Sequence, residues 1–162
     1  MRRRDTQQQH VYKWEDKLRQ HPCIDPEPLP RIIIRAAVKA LSDEYGLTEP
    51  PTLRFQARLK RRAYYQSFDQ VGHGPKGSET RSGTGAIVLP GNVNSWATNM
   101  LVIMHEMAHA IHFQEDKKSE QETHGPEFVG IFIHIMVNHT DFTLEDLEGT
   151  ADLYGIRYNR RA

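Results

Sequence analysis

The chain has 162 residues, which is within the size range of one domain that can bury a substantial core. Its 21 basic and 21 acidic residues balance, so no overall field would draw it to nucleic acid or to an anionic membrane surface. A single cysteine excludes an internal disulfide, and no stretch resembles a secretory signal or a membrane span, so we expect a cytoplasmic, single-domain protein over residues 1–162.

The first predicted element is a short amphipathic helix. Within residues 7–20, Val11, Trp14 and Leu18 form one narrow apolar stripe on an otherwise polar helix. Residues 1–22 are therefore expected to form an accessory N-terminal helix that docks on the rest of the protein.

A proline-rich connector and a second helix are predicted next. Residues 22–30 contain four prolines, none of which can donate a backbone hydrogen bond, so this stretch is expected to be extended. Pro30 suits the start of a helix that ends near Tyr45. Gly46 is then placed for a left-handed cap.

The middle of the chain predicts three short strands. Residues 52–59 alternate between apolar and polar side chains, and residues 63–68 are aromatic, with a basic turn at 60–62 between them. Residues 71–85 are rich in glycine and predict a loop, and residues 86–89 form a short apolar strand.

The helical pattern returns in the last third of the chain. Helices are predicted from about 95 to 117, from Pro126 onward, and over 144–154. Helices, three strands and helices in this order indicate an α+β fold, in which a small, mostly antiparallel three-stranded sheet packs on the helices.

Residues 105–109 carry the clearest chemical signal. They read His-Glu-Met-Ala-His within an apolar helical run. Residues four apart on a helix are separated by about 6 Å along one face, so His105 and His109 can bind one zinc ion, and Glu106 lies beside that ion. Buried polar groups are costly in such a helix, and a bound metal explains why they are tolerated there.

Two histidines, His112 and His124, are candidates for the third zinc ligand, and they differ in whether they can approach the ion bound by the motif histidines. His112 lies two turns from His105, too far to join both motif histidines at one ion, so a role in the cleft wall or beside the ligands is expected. A metzincin would have glycine at 112 and histidine in place of Glu115, so that class is excluded.

His124 has the required reach. The seven residues 118–124 can span up to about 23 Å, which is enough to return from the end of the motif helix. Gly125 and Pro126 then begin a helix that would hold the ligand on a rigid element. A glutamate ligand is a variant of this prediction, with three candidates in the same stretch: Glu120, Glu122 and Glu127.

The strings at 105–110 (HEMAHA) and 124–128 (HGPEF) closely resemble the SprT-like zinc metalloprotease family, which includes bacterial SprT, the catalytic domain of Spartan and short metallohydrolases of bacteria and phages. The resemblance implies a zincin-like fold of minigluzincin size, with zinc bound by His105, His109 and His124 and with Glu106 as the catalytic base. It also implies an edge strand along the cleft, at 86–89. The single cysteine cannot form the cysteine-rich zinc ribbon of many members, so a bare catalytic domain is expected.

The expected activity is hydrolysis of peptide bonds by zinc-activated water, with a protein or peptide as the substrate. Two alternatives stay open, a zinc hydrolase of a non-peptide amide and a non-catalytic binding module stabilised by zinc. DNA could contact three basic clusters, at 2–4, at 60–62 and at 157–161, although each is more often a solubilising terminus or turn. Four side chains are candidates for an oxyanion donor: His112, His139, Tyr154 and Tyr158.

Overall fold

The computed structural model describes five segments of the chain: 4–57, 63–67, 85–91, 98–116 and 121–162. Within them the expected α+β architecture is present, with five helices and three strands. In chain order they are α1 (Gln8–Arg19), α2 (Arg31–Glu44), β1 (Thr52–Gln56), β2 (Tyr64–Ser67), β3 (Gly85–Pro90), α3 (Met100–Glu115), α4 (Pro126–His139) and α5 (Leu144–Leu153). The predicted basic turn at 60–62 and residues 71–84 of the glycine-rich loop predicted at 71–85 lie outside the described residues, while Gly85 begins β3.

Helix α3 is the central element of the fold. Its start is capped by Asn99, whose side chain accepts a hydrogen bond of 3.0 Å from the backbone N–H of Val102. Every residue from 101 to 112 is buried, because α3 packs against α2, α4, β2 and β3. A helix buried in this way can hold polar side chains only where they find partners, and the two histidines and the glutamate of the His-Glu-x-x-His motif are all buried.

The sheet is mixed, so the prediction of a mostly antiparallel sheet is wrong. Its strand order is β1-β3-β2, with β1 parallel to β3 and β2 antiparallel to it. All six residues of β3 are buried, whereas β1 alternates between exposed and half-buried residues. A continuous apolar strand covered on both faces belongs in the centre of a sheet.

The central position of β3 changes two further expectations. Strand β1 does not pair with β2, so the two strands do not form the hairpin that a turn at 60–62 would make. Residues 86–89 are not the edge strand along the cleft, because they lie in the central strand. Strand β2 is the edge strand instead, and it packs on α3.

Helix α1 is part of the main core. Val11, Trp14 and Leu18 are buried, as the apolar stripe predicts. The indole of Trp14 meets the ring of Phe132 edge-on at 6.0 Å, and its Nε1 donates a hydrogen bond of 3.0 Å to the hydroxyl of Thr150. One apolar cluster thus joins residues of all five helices and of β3.

The connector and the helix cap agree with their predictions. Residues 22–30 contain neither helix nor strand. Gly46 follows α2 with a φ of +65°, in the left-handed region that glycine adopts without steric cost.

The basic cluster at 157–161 is paired with acidic side chains. The pairs are Arg157 with Glu122, Arg160 with Glu148, and Arg161 with Glu115. These three arginines therefore present less free positive charge than the sequence suggests. The cluster at 60–62 and Arg2 and Arg3 lie outside the described residues. None of the helices in the described segments is long and apolar enough to cross a membrane.

The C-terminal segment approaches α4 closely at Gly130, which predicts a strong effect of an added methyl group. A Cβ at this position would lie 1.9 Å from the backbone carbonyl oxygen of Asn159. We expect Gly130→Ala to lower the free energy of unfolding by about 1–3 kcal/mol, measured by urea denaturation, because backbone must move to relieve the clash.

Gly149 in α5 is the matched control. It also lies inside a helix, and nothing lies within 4 Å of an added Cβ. Gly149→Ala should raise stability by about 0.5–1 kcal/mol, since alanine has the higher helix propensity. Equal effects of the two substitutions would contradict the close approach at Gly130.

Candidate metal centre

Three buried histidines meet at one point of the structure. His105 and His109 lie one turn apart on α3, and His124 comes two residues before the start of α4. One ring nitrogen from each lies within 4.8 Å of the others, and the Nε2 atoms of His105 and His109 are 3.0 Å apart. The fold therefore brings together the three residues that the sequence predicts as ligands.

The ring nitrogens at the centre of this cluster fit a metal ion. His124 Nε2 is buried and has no hydrogen-bond partner among the described residues, which is costly for a polar atom. Two nitrogens bound to one tetrahedral zinc ion would lie about 3.3 Å apart, close to the observed separation of the two Nε2 atoms on α3. An ion at this point would satisfy all three rings at once.

Two carboxylates bond to Nδ1 atoms of the cluster, which we call its outer nitrogens. Nδ1 of His105 hydrogen-bonds to Glu15 of α1, and both side chains are buried. Nδ1 of His124 lies 2.6 Å from Oδ2 of Asp5, just before α1. When Nδ1–H donates a hydrogen bond to a carboxylate, the lone pair of Nε2 is left for a metal.

The two histidines that pair with carboxylates have pKa values shifted in opposite directions. Burial lowers the pKa of His105, but the charge and hydrogen bond of Glu15, helped by Glu106, raise it above its ordinary value. Burial and the neighbouring charge of His105 keep the pKa of His124 below its ordinary value despite Asp5. The contacts of Glu15 thus favour the protonated form of His105, and a metal ion at this point would compete with that proton.

His109 is oriented by aromatic rings. Its ring stacks on Phe128 of α4, with centroids 4.3 Å apart and planes inclined by 25°. It is also nearly parallel to Tyr65 of β2, at 6.1 Å and 13°. Close packing of this kind restricts the rotation of the imidazole and so helps to hold its nitrogen in place.

The histidines open onto a cleft of about 900 Å³. Its walls come from α1, β2, α3 and the residues before His124. Glu106 is 5% exposed and lines this cleft next to His105, the position expected for a base. Residues of the other elements that also line it include Tyr12, Tyr64 and Tyr65.

His112 lies in the cleft wall, outside the group of three ligands. Its Nε2 hydrogen-bonds to Oε1 of Gln121 at 2.7 Å, so this side chain belongs to the surroundings of the site, as its helical position predicts. Among the four candidates for an oxyanion donor, only His112 lines the cleft; His139, for example, pairs with Glu44.

The alternative glutamate ligands have other partners. Glu122 accepts hydrogen bonds from Thr6 and Arg157, and Glu127 accepts one from Asn159. Glu120 lies outside the described residues. The geometry therefore favours His124 as the third ligand.

Sequence reasoning missed the contribution of the N-terminal residues to this site. Asp5, Tyr12 and Glu15 were expected only to belong to an accessory helix. One signal could have identified Glu15: it follows Val11 by four residues and precedes Leu18 by three, so it lies on the buried stripe of α1. A carboxylate in an apolar stripe needs a buried partner.

Comparisons with known proteins identify no relative: no protein-family model matches the chain, and no curated protein or solved structure does so either.

The cluster predicts a specific pattern of zinc binding. We expect about one zinc ion per chain by elemental analysis. His105→Ala, His109→Ala and His124→Ala should each lower zinc affinity by more than about 100-fold, because losing a ligand costs more than losing a residue that only supports one. His112→Ala is the control and should bind zinc like the wild-type protein. Equal loss in all four variants would contradict the assignment of the three ligands.

Proposed function

We propose that the protein is a zinc-dependent metallopeptidase. The observation that carries this proposal is the convergence of three buried imidazoles on one point of an open cleft, with Glu106 in the wall beside them. A purely structural zinc site is closed by four protein ligands, whereas a hydrolytic site keeps one position for water or substrate.

The donor set supports zinc and an open site. Three imidazoles suit zinc better than the hard cations, which prefer oxygen ligands. Across the described segments, no fourth histidine, cysteine, aspartate or glutamate belongs to the group formed by His105, His109 and His124. This favours an enzyme over a non-catalytic module stabilised by zinc.

Glu106 would be the proton carrier of the reaction. Zinc at this point would supply Lewis acidity, polarising the substrate carbonyl and lowering the pKa of water to about 7. The Glu106 carboxylate would accept a proton from the attacking water and pass it to the nitrogen of the leaving amine. Its burial limits competing contacts with bulk water.

A peptide suits the cleft better than a small amide. Strand β2 lies at the edge of the described sheet and lines the cleft. A small amide would fill little of the cleft, which has a volume of about 900 Å³, whereas an extended peptide would lie along this strand. Tyr64 and Tyr65 would contact its side chains.

The proposal includes the SprT-like, zincin-like class. Its support is the resemblance at 105–110 and 124–128, together with the order of α2, the sheet, α3 and α4 around the motif. The single cysteine agrees with a reducing, cytoplasmic location. DNA contact is not part of this proposal, since the arginines at 157, 160 and 161 are paired.

Removal of the proposed base separates catalysis from zinc binding. Glu106→Gln should retain zinc and lose about 10²–10⁴-fold in the rate of peptide cleavage, because the amide cannot accept the proton. The measurement is hydrolysis of casein and of a quenched fluorescent peptide library by the zinc-loaded protein.

Glu115→Gln is the matched control on the same helix. Glu115 is exposed and pairs with Arg161, so its loss should leave cleavage unchanged. If zinc-loaded wild-type protein cleaves no peptide but hydrolyses small amides in a manner that depends on Glu106, the substrate assignment is wrong and the non-peptide alternative is correct.

A further inference from the structure

The chain before and along α1 contacts two of the three proposed ligands. Glu15 bonds to the ring of His105, and Asp5, ten residues earlier, bonds to the ring of His124. The ligands themselves come from α3 and from the residue before Gly125. One continuous N-terminal stretch therefore holds side chains that distant parts of the chain contribute.

We propose that Asp5 and Glu15 are positioning residues of the metal centre, and that residues 5–15 are a structural part of it. This inference rests on the proposed zinc site. A carboxylate that accepts a hydrogen bond from Nδ1–H fixes the orientation of the ring and increases the basicity of Nε2 toward a metal. The two outer contacts would thus prepare the rings for zinc.

Gln7 holds the main chain of His124. Its side chain is 3% exposed, and its Nε2 donates to the carbonyl oxygens of His124 at 2.8 Å and Arg157 at 3.0 Å. Its Oε1 accepts from the backbone N–H of Arg157 at 3.1 Å. Both N–H groups and the oxygen of this amide are used, so a shift of the backbone at His124 would break a buried bond.

Thr6 attaches the same stretch to the loop that carries His124. Its backbone N–H and hydroxyl both donate to Oε1 of Glu122, at 3.2 and 2.5 Å, two residues before the ligand. The loop that carries His124 is therefore held by three successive residues of the N-terminal stretch, Asp5, Thr6 and Gln7. These contacts restrain the ring of His124, its carbonyl oxygen and Glu122, which lies two residues earlier.

Docking of α1 alone does not explain these contacts. Val11, Trp14 and Leu18 already bury an apolar stripe, which is sufficient to dock an amphipathic helix. Burial of the Glu15 carboxylate carries a desolvation cost that apolar docking would avoid. A role in orienting His105 accounts for that cost.

Substitution of the two carboxylates tests the inference on the full-length protein. Glu15→Ala and Asp5→Ala should each lower zinc affinity by about 10–100-fold, measured by competition with a chromophoric chelator. Glu15→Gln and Asp5→Asn keep an oxygen that can accept a hydrogen bond from Nδ1–H, so these variants should lose less zinc affinity. In protein loaded with Co²⁺, the alanine variants should also show a changed visible absorption spectrum, because the ligand geometry changes.

Glu44→Ala is the matched control. Oε2 of Glu44 lies 2.6 Å from Nε2 of His139, so the control removes the same type of carboxylate to imidazole contact at a pair outside the metal centre. It should leave zinc affinity and the cobalt spectrum unchanged. Melting temperatures of all metal-free variants are measured in parallel.

The outcomes distinguish this inference from the proposed function. If wild-type protein binds zinc and the alanine variants bind it as tightly with the same cobalt spectrum, the inference is overturned, even where their metal-free melting temperatures fall. In that case the carboxylates only hold α1. If wild-type protein binds no zinc, the proposed metallopeptidase fails as well.

Discussion

The burial of three imidazole rings between α3, α4 and α1 is the constraint on which much of this structure depends. An unsatisfied polar atom in such surroundings costs about 1–3 kcal/mol, and the apolar neighbours on α3 and α4 supply no hydrogen-bond partner. Asp5 and Glu15 satisfy the outer nitrogens of two rings. The inner nitrogens face one another, and a cation is the simplest group that satisfies them together.

This constraint links parts of the chain that are far apart in sequence. Gln7 joins the N-terminal residues to His124 and to Arg157, and the backbone of Asn159 packs against Gly130 while donating to the carbonyl of Pro126. Gln7 and residues 157–159 therefore lie beside the loop that contains His124 and beside the helix that follows it. The same contacts that stabilise the fold restrict the motion of the site.

The sequence predicted local structure well and strand pairing poorly. Helix limits followed from periodicity and from local signals such as Pro126 and Gly46, which act within a few residues. The order of the sheet depends on which strand is buried on both faces, and that is decided by α3 and by other elements packed around it. The edge position that the family resemblance implies for residues 86–89 is therefore wrong, since β3 lies in the centre.

The three histidines that meet in the structure could be predicted from the sequence, since the spacing of His105 and His109 on a helix and the reach of the chain to His124 are local geometry. What surrounds these histidines depends on how the helices and strands pack together. Contacts of Asp5 and Glu15 with rings about 90 or more residues away depend on how α1 docks, and edge strand β2 borders the cleft because β3 occupies the centre. Such long-range contacts follow from packing, which residue spacing does not encode.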